Sequence, residues 1–203
     1  METIMADKLL INSIDKGLNY TQYRQFVKQL VDTQSTSGSD KTEALINYTS
    51  LNDRRMNRWD KTIKISEEEA IKIKNYKGKL TWVILTESWC GDAAHVIPVL
   101  NKISELNPNI NLKLVFRDEN EALMTQYLTQ GARAIPKLIV LEDNLGEVIG
   151  TYGPRPSEAT KLVNDYKSKH GKLTPEFKEE LQLWYNKNKG QNIVKDILAL
   201  LDI

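Results

Sequence analysis

Cysteine occurs once in 203 residues, at position 90. It stands in Glu87-Ser88-Trp89-Cys90-Gly91-Asp92-Ala93, where an apolar run from Leu80 to Thr86 gives way to a helical pattern starting at Gly91. A thiolate is most stabilised at such a strand-to-helix junction, because unpaired helix N–H groups and the helix dipole favour negative charge there. The chemistry that follows is attack on a disulfide sulfur to form a mixed disulfide. Ala93 occupies the place where a second cysteine would complete Cys-x-x-Cys. Release of the product would therefore fall to an external thiol.

Two forces compete over the acidity of Cys90. The helix start lowers its pKa, and the like charge of Asp92 raises it unless that carboxylate caps the helix instead. The expected balance is a modestly depressed value and a thiol that faces solvent. The alternative is a small buried hydrophobe, the commonest fate of a free cysteine. Trp89 reads as lining a substrate groove, with ordinary core packing as the alternative. His95 lies five residues on, about 140° round a helix from Cys90. It is expected to be exposed or half-buried and not a base for the thiol. Cys90, Asp92 and His95 make a poor metal set, since zinc sites use three or four convergent ligands. Neither a metal nor another cofactor is implied. Arg54, Arg55 and Arg58 read as a solvated helix face, with an anion or partner site as the alternative.

Positioning Cys90 falls to the elements around it. Tyr20, Tyr23, Val27, Leu30 and Val31 recur at helical spacing after Asn19. Residues 33–40 form a polar turn, and a helix follows over about 41–59. Leu45, Tyr48, Leu51 or Asn52, Met56 and Trp59 lie along one of its sides. Ser66 with Glu69 is a capping box for a short helix ending near Gly78. Strands follow at Leu80–Thr86, Leu112–Arg117, Lys137–Glu142 and Glu147–Tyr152, with helices at Gly91–Leu106 and Glu119–Leu128 between the first three. The first three strands should then be parallel, and the turn from Asp143 to Gly146 makes the fourth antiparallel. Helices over about 157–169, 174–187 and 191–201 close the chain.

That order, with Trp89-Cys90-Gly91 at the first crossover, resembles the thioredoxin family over roughly residues 62–169. Pro98 eight residues after the cysteine, Ile135-Pro136 before a strand, and Gly146 and Gly153 add to the resemblance. The resemblance implies a thioredoxin-like α/β fold, a central mixed sheet of about four strands flanked by helices, with a cis Ile135–Pro136 bond facing Cys90. It also implies that Cys90 is the nucleophile, that the N–H groups after Gly91 steady the thiolate, and that Trp89, Asp92, Ile135 and Pro136 shape the substrate site. Arg133, just before the proline, would lie near the thiol and hold it or a substrate carboxylate. Arg155 has the same standing, and an exposed loop arginine is the alternative for both. The departures are equally specific. The resolving cysteine is Ala93, the buried acid of the first strand is Ile84, the proline two after the cysteine is Asp92, and the lysine that companions the acid is Leu114. Glu87 stands where peroxide-reducing relatives carry Thr or Ser, which makes that chemistry the weakest option.

The chain reads as an N-terminal helical extension over 1–61, a thioredoxin-like domain over 62–169 and a C-terminal helical extension over 170–203. Lysine plus arginine number 28 against 27 acidic residues, so bulk charge points to neither nucleic acid nor membrane. No apolar run of about 18 residues is present, and the first fifteen residues lack the pattern of a signal peptide. A lone cysteine cannot form an internal disulfide, so a reducing cytoplasm is the natural setting. Three functions compete. One is a monothiol oxidoreductase exchanging with a protein disulfide or low-molecular-weight thiol. The second is a binding module that kept the groove and lost turnover. The third is an interaction protein working through its terminal helices, where Tyr20, Tyr23, Trp59, Trp184 and Tyr185 would meet either the core or a partner. The sequence does not fix an oligomeric state.

Overall fold

The computed structural model describes residues 4–5, 8–143 and 146–203. Its elements are β1 (Ile4–Met5), α1 (Lys8–Lys16), α2 (Tyr20–Asp32), α3 (Glu43–Thr62), α4 (Glu67–Asn75), β2 (Leu80–Thr86) and α5 (Ala93–Ser104). There follow β3 (Ile110–Phe116), a 3-10 turn at Arg117–Glu119, α6 (Glu121–Gln126), β4 (Lys137–Glu142) and β5 (Glu147–Tyr152). Three helices complete the chain, α7 (Ser157–His170), α8 (Pro175–Asn188) and α9 (Gln191–Leu200). Two positions of the turn before β5, 144 and 145, lie outside the described residues.

The strands form one sheet in the order β1-β5-β4-β2-β3. Every residue of β2 is buried, as an apolar strand with a neighbour on each side and helices on both faces should be. β2 and β3 are parallel, but β4 runs antiparallel to β2, so the expectation of three parallel strands is overturned. A parallel return must carry the chain back along the whole sheet, about 23 Å for seven residues. α6 has six residues and spans only about 9 Å. The connection through residues 117–136 turns back at Thr129–Ala132 and at the cis Ile135–Pro136 bond, and the chain re-enters from the end it left. The two-residue β1 pairs with β5, and Leu18 bonds Leu114 through both backbone groups on the outer side of β3. Both sheet edges are covered in this way. Neither β1 nor α1 was foreseen from the sequence.

One apolar core runs through the chain and includes the end segments. Tyr23 and Trp59 from α2 and α3, and Tyr185 from α8, are at most 3% exposed, while Tyr20 and Trp184 pack half-buried against the same core. These aromatic residues are core, not a free partner surface. α5 is buried almost all round because it is held between the sheet, α3 and α9. The buried face of α3 differs from the expected one. It runs Thr49, Asn52, Asp53, Met56 and Trp59, which leaves Leu45, Tyr48 and Leu51 outside the core.

Candidate functional site

The site begins where β2 ends. Glu87 and Ser88 leave the strand, Trp89 and Cys90 turn, and α5 starts at Ala93. Opposite lies the Ile135–Pro136 peptide, which is cis, as is Gly153–Pro154. Gly153 has φ +102°, and a Cβ there would stand 2.3 Å from the Pro136 carbonyl oxygen. Only glycine allows these two loops to meet so closely. Cys90 is 7% exposed, and its thiol donates to the Ile135 carbonyl at 3.3 Å. Cys90, Ile135 and Pro136 thus come together as the sequence suggested, but the sulfur is sealed and does not face solvent.

The acidity of Cys90 departs from expectation in the same direction. Burial pushes its pKa up to about 12, and the Asp92 charge adds to the rise. The N–H groups of Ala93 and Asp92 and the Arg155 cation act downward but are outweighed. The helix-start effect is therefore present, and removal from water wins over it. At neutral pH the thiolate that attacks a disulfide is therefore a rare species.

Asp92 does not cap α5. Its carboxylate instead takes an ion pair from Arg155 at 2.7 Å and a hydrogen bond from the Tyr185 hydroxyl at 3.0 Å. Burial raises its pKa, against the pull of Arg155. Tyr185 stacks on His95 with ring centroids 4.3 Å apart. His95 is 1% exposed, not half-exposed as expected. Its Nδ1 accepts from Trp59 Nε1 at 2.8 Å, so its Nε2 carries the proton given to Gln182 at 2.7 Å. Burial holds this neutral ring at a pKa of about 4. The reading that His95 is not a base for Cys90 fits these contacts. Among the described residues no three His, Cys, Asp or Glu side chains gather as a metal set.

On the other side of the thiol, Glu87 is fully buried. It accepts from the Ser37 hydroxyl and, at 3.0 Å, from the Asp118 N–H. Burial raises its pKa. The segment read as a plain polar turn is a clamp on this loop. Thr36, Thr49 and Ser88 share their hydroxyls within 3.2 Å. Ser37 and Ser88 exchange two further bonds, and Asn52 donates to the Ser88 carbonyl at 3.0 Å. Gly38, at φ +82°, has no room for a Cβ, which would meet Asp118 at 2.6 Å. No local pattern announces this clamp, because its partners lie about fifty positions apart in the chain.

Above the sealed thiol is an open cleft of about 730 Å³. Its floor is Trp89, Cys90, Gly91 and Asp92. One wall is α3, through Leu45, Tyr48, Leu51 and Arg55, and the other is Leu173 with the first turns of α8. The apolar residues of α3 that miss the core thus line the cleft, and Tyr48 is 46% exposed there. Trp89 is half-buried, lines the cleft as expected, and carries the Arg117 guanidinium over its ring at 5.1 Å. Arg155 reaches the site, whereas Arg133 is exposed, pairs with Glu121 at 3.3 Å and is not part of the cleft.

Residues 38–167 match the family model described as thioredoxin. The chain belongs to the thioredoxin family. No curated protein matches it. Two solved structures share its fold at 17% identity. One is a Pseudomonas aeruginosa protein of unknown function, with a TM-score of 0.63 over 98% of both chains. The other is an HIV epitope-scaffold, with a TM-score of 0.62 over 95% of this chain and 96% of that one. The likeness takes in the terminal helices as well as the thioredoxin sheet. Within this thioredoxin framework, Ile84 and Leu114 are paired directly across β2 and β3 and are at most 1% exposed. The positions read as a lost acid and a lost lysine are one apolar contact.

Proposed function

We propose that this thioredoxin-family protein is a binding module, whose cleft takes a ligand and whose cysteine does not turn over. The observation that carries this reading is the contrast at Cys90. Cys90 is buried, at 7% exposed, and its thiol is bonded to the Ile135 carbonyl at the floor of an open cleft of about 730 Å³. That volume lies in the range of small-molecule and peptide pockets, so a ligand has room while the nucleophile is withdrawn. Ala93, with no sulfur to resolve a mixed disulfide, and the apolar Ile84–Leu114 pair point the same way. The reading that competes is monothiol exchange with an external thiol, favoured by the Asp92 and Ala93 N–H groups directed at the sulfur. We place the protein in the cytoplasm, where its lone thiol stays reduced. Among the described residues no helix is long and apolar enough to cross a membrane.

The two readings separate in one experiment. The protein is incubated with oxidised glutathione from pH 7 to pH 9 and its intact mass is followed. The binding-module reading expects no adduct at pH 7 and only slow growth at pH 9. Stoichiometric addition within minutes at pH 7, reversed by reduced glutathione, would establish exchange and remove the proposal.

A further inference from the structure

The cleft above Cys90 is one end of a longer groove. It shares Leu51, Arg55 and Gln182 with a neighbouring depression of about 340 Å³ over His95. That depression shares Arg58 and Asn186 with a third, of about 620 Å³, at the far end of the seam between α3 and α8. The groove changes character along its length. Leu45, Tyr48 and Leu173 make the Cys90 end the more apolar, and its carboxylates, Asp92 and Glu179, lie beside Arg155 and Lys178 in the same lining. Toward the far end, α3 contributes Arg54, Arg55, Arg58 and Lys61, with Lys64 just past its terminus. Lys187 and Lys189 face them from the end of α8. Among the described residues no carboxylate lines the second or third depression.

This clustering is local, since the whole chain has a net charge of only +1. None of these seven cations makes an ion pair among the described residues. Arg55, half-buried, bonds only the Asn52 side-chain carbonyl at 3.0 Å, and Arg58 the Asn186 carbonyl. The Asp92 charge acts on Arg55 but is itself paired with Arg155, so a partly buried guanidinium hydrogen-bonded only to an amide gains from a ligand carboxylate. Like charges along one groove also repel each other until something neutralises them.

We propose that the α3–α8 seam binds an acidic, extended peptide segment of a partner protein, with an apolar side chain set over Trp89 and carboxylates along the arginine and lysine rows. This rests on the binding-module reading for its apolar end only. From Leu45 to Lys64 the seam runs about 28 Å, the length of about eight extended residues. Gln182, Asn186, Asn188 and Gln191 lie along it, and such amides can both donate to and accept from a peptide backbone. A compact phosphate ligand would satisfy one end and leave the apolar end empty. The peptide fits both.

The test uses the full chain and two fluorescein-labelled eight-residue probes, one all-acidic and one acidic with a single leucine at either end. Binding is read by fluorescence polarisation at 50 and 200 mM salt. Both probes should bind, the leucine-bearing one more tightly, and both should weaken severalfold at the higher salt, where charges are screened over about 8 Å. The exposed triple variant Arg58→Gln, Lys61→Gln, Lys64→Gln should lose about tenfold for both probes, and Lys161→Gln should lose nothing. Tyr48→Ser should weaken only the leucine-bearing probe. If Tyr48→Ser has no effect while the triple variant does, the cleft reading fails and the basic groove stands as an acidic-peptide site. If neither probe binds, or a neutral peptide binds equally well, or tripolyphosphate or an oligothymidylate binds more tightly than both, the proposal is overturned.

Discussion

Glu87 and Asp92 are carboxylates held out of water on either side of the same thiol, yet neutral donors meet the first and a cation meets the second. Glu87 receives the Ser37 hydroxyl and the Asp118 N–H, partners that suit it with or without its proton. Asp92 receives Arg155 at 2.7 Å and Tyr185 at 3.0 Å, and a guanidinium calls for the charged form. Burial raises the pKa of both. Glu87 is a hub that ties Ser37 and Asp118 to the site loop. Asp92 keeps a charge beside Cys90 that raises the pKa of the thiol. A site arranged for a reactive thiolate would not hold an anion there.

The comparison is tested most severely by removing the partners. Arg155→Leu leaves the Asp92 carboxylate, 13% exposed, without its cation. Breaking a buried pair costs about 3–5 kcal/mol, and the partial exposure here favours the low end, about 3 kcal/mol. Glu87→Gln keeps an acceptor for the neutral donors and should cost about 1 kcal/mol or less. Urea unfolding of the two variants gives both numbers. Equal losses would mean that Glu87 carries its charge in the folded protein after all.

The sheet strands and most helices were legible in the sequence because their signals are local. Leu80 to Thr86 is a continuous apolar run, Ser66 and Glu69 form the capping box that the spacing announces, and Pro175 opens α8 behind its Thr174 cap. The direction of β4 was not legible, since a twenty-residue connection is long enough for either direction and its path depends on the turn before Pro136. The site split in the same way. Cys90, Trp89 and Pro136 were readable from motif and order. The clamp by Thr36 and Ser37, the choice of Arg155 over Arg133, and the burial of His95 depend on contacts from the terminal helices and loops. The acidity of Cys90 likewise follows from its burial against Ile135 and not from its helix start alone.

Acid titration sharpens the contrast further. His95 has a folded pKa of about 4 against an ordinary 6.5. Between these values the unfolded chain binds a proton that the folded chain refuses, so stability falls as pH drops from about 6.5 to 4. The difference of about 2.5 units is on the order of 3 kcal/mol. Glu87 works the other way. Its folded pKa is raised, so its contribution is full below the ordinary carboxylate value and is lost as pH rises through the folded one. The net loss of stability from pH 7 to pH 4 is the His95 loss less what Glu87 and Asp92, both raised by burial, return. It should be smaller in His95→Gln, whose amide can serve both Trp59 and Gln182, and larger in Glu87→Gln. Urea unfolding across the pH series decides the matter, and an unchanged slope in His95→Gln would remove the ring from the account.

The smallest expected effect concerns the thiol itself. Burial is the larger cause of its raised pKa and the Asp92 charge the second. Asp92→Asn removes the like charge, frees Arg155 to act on the sulfur, and leaves Cys90 where it is. Its alkylation by iodoacetamide at pH 8 should quicken about fivefold, a change of about 1 kcal/mol. It should still fall far short of the rate of a free cysteine, because the sulfur remains bonded to Ile135 under the cleft floor. If the variant reached the free-cysteine rate, the neighbouring anion and not removal from water would be what silences the thiol. One substitution would then separate this chain from a working monothiol site, and the exchange reading would regain its ground.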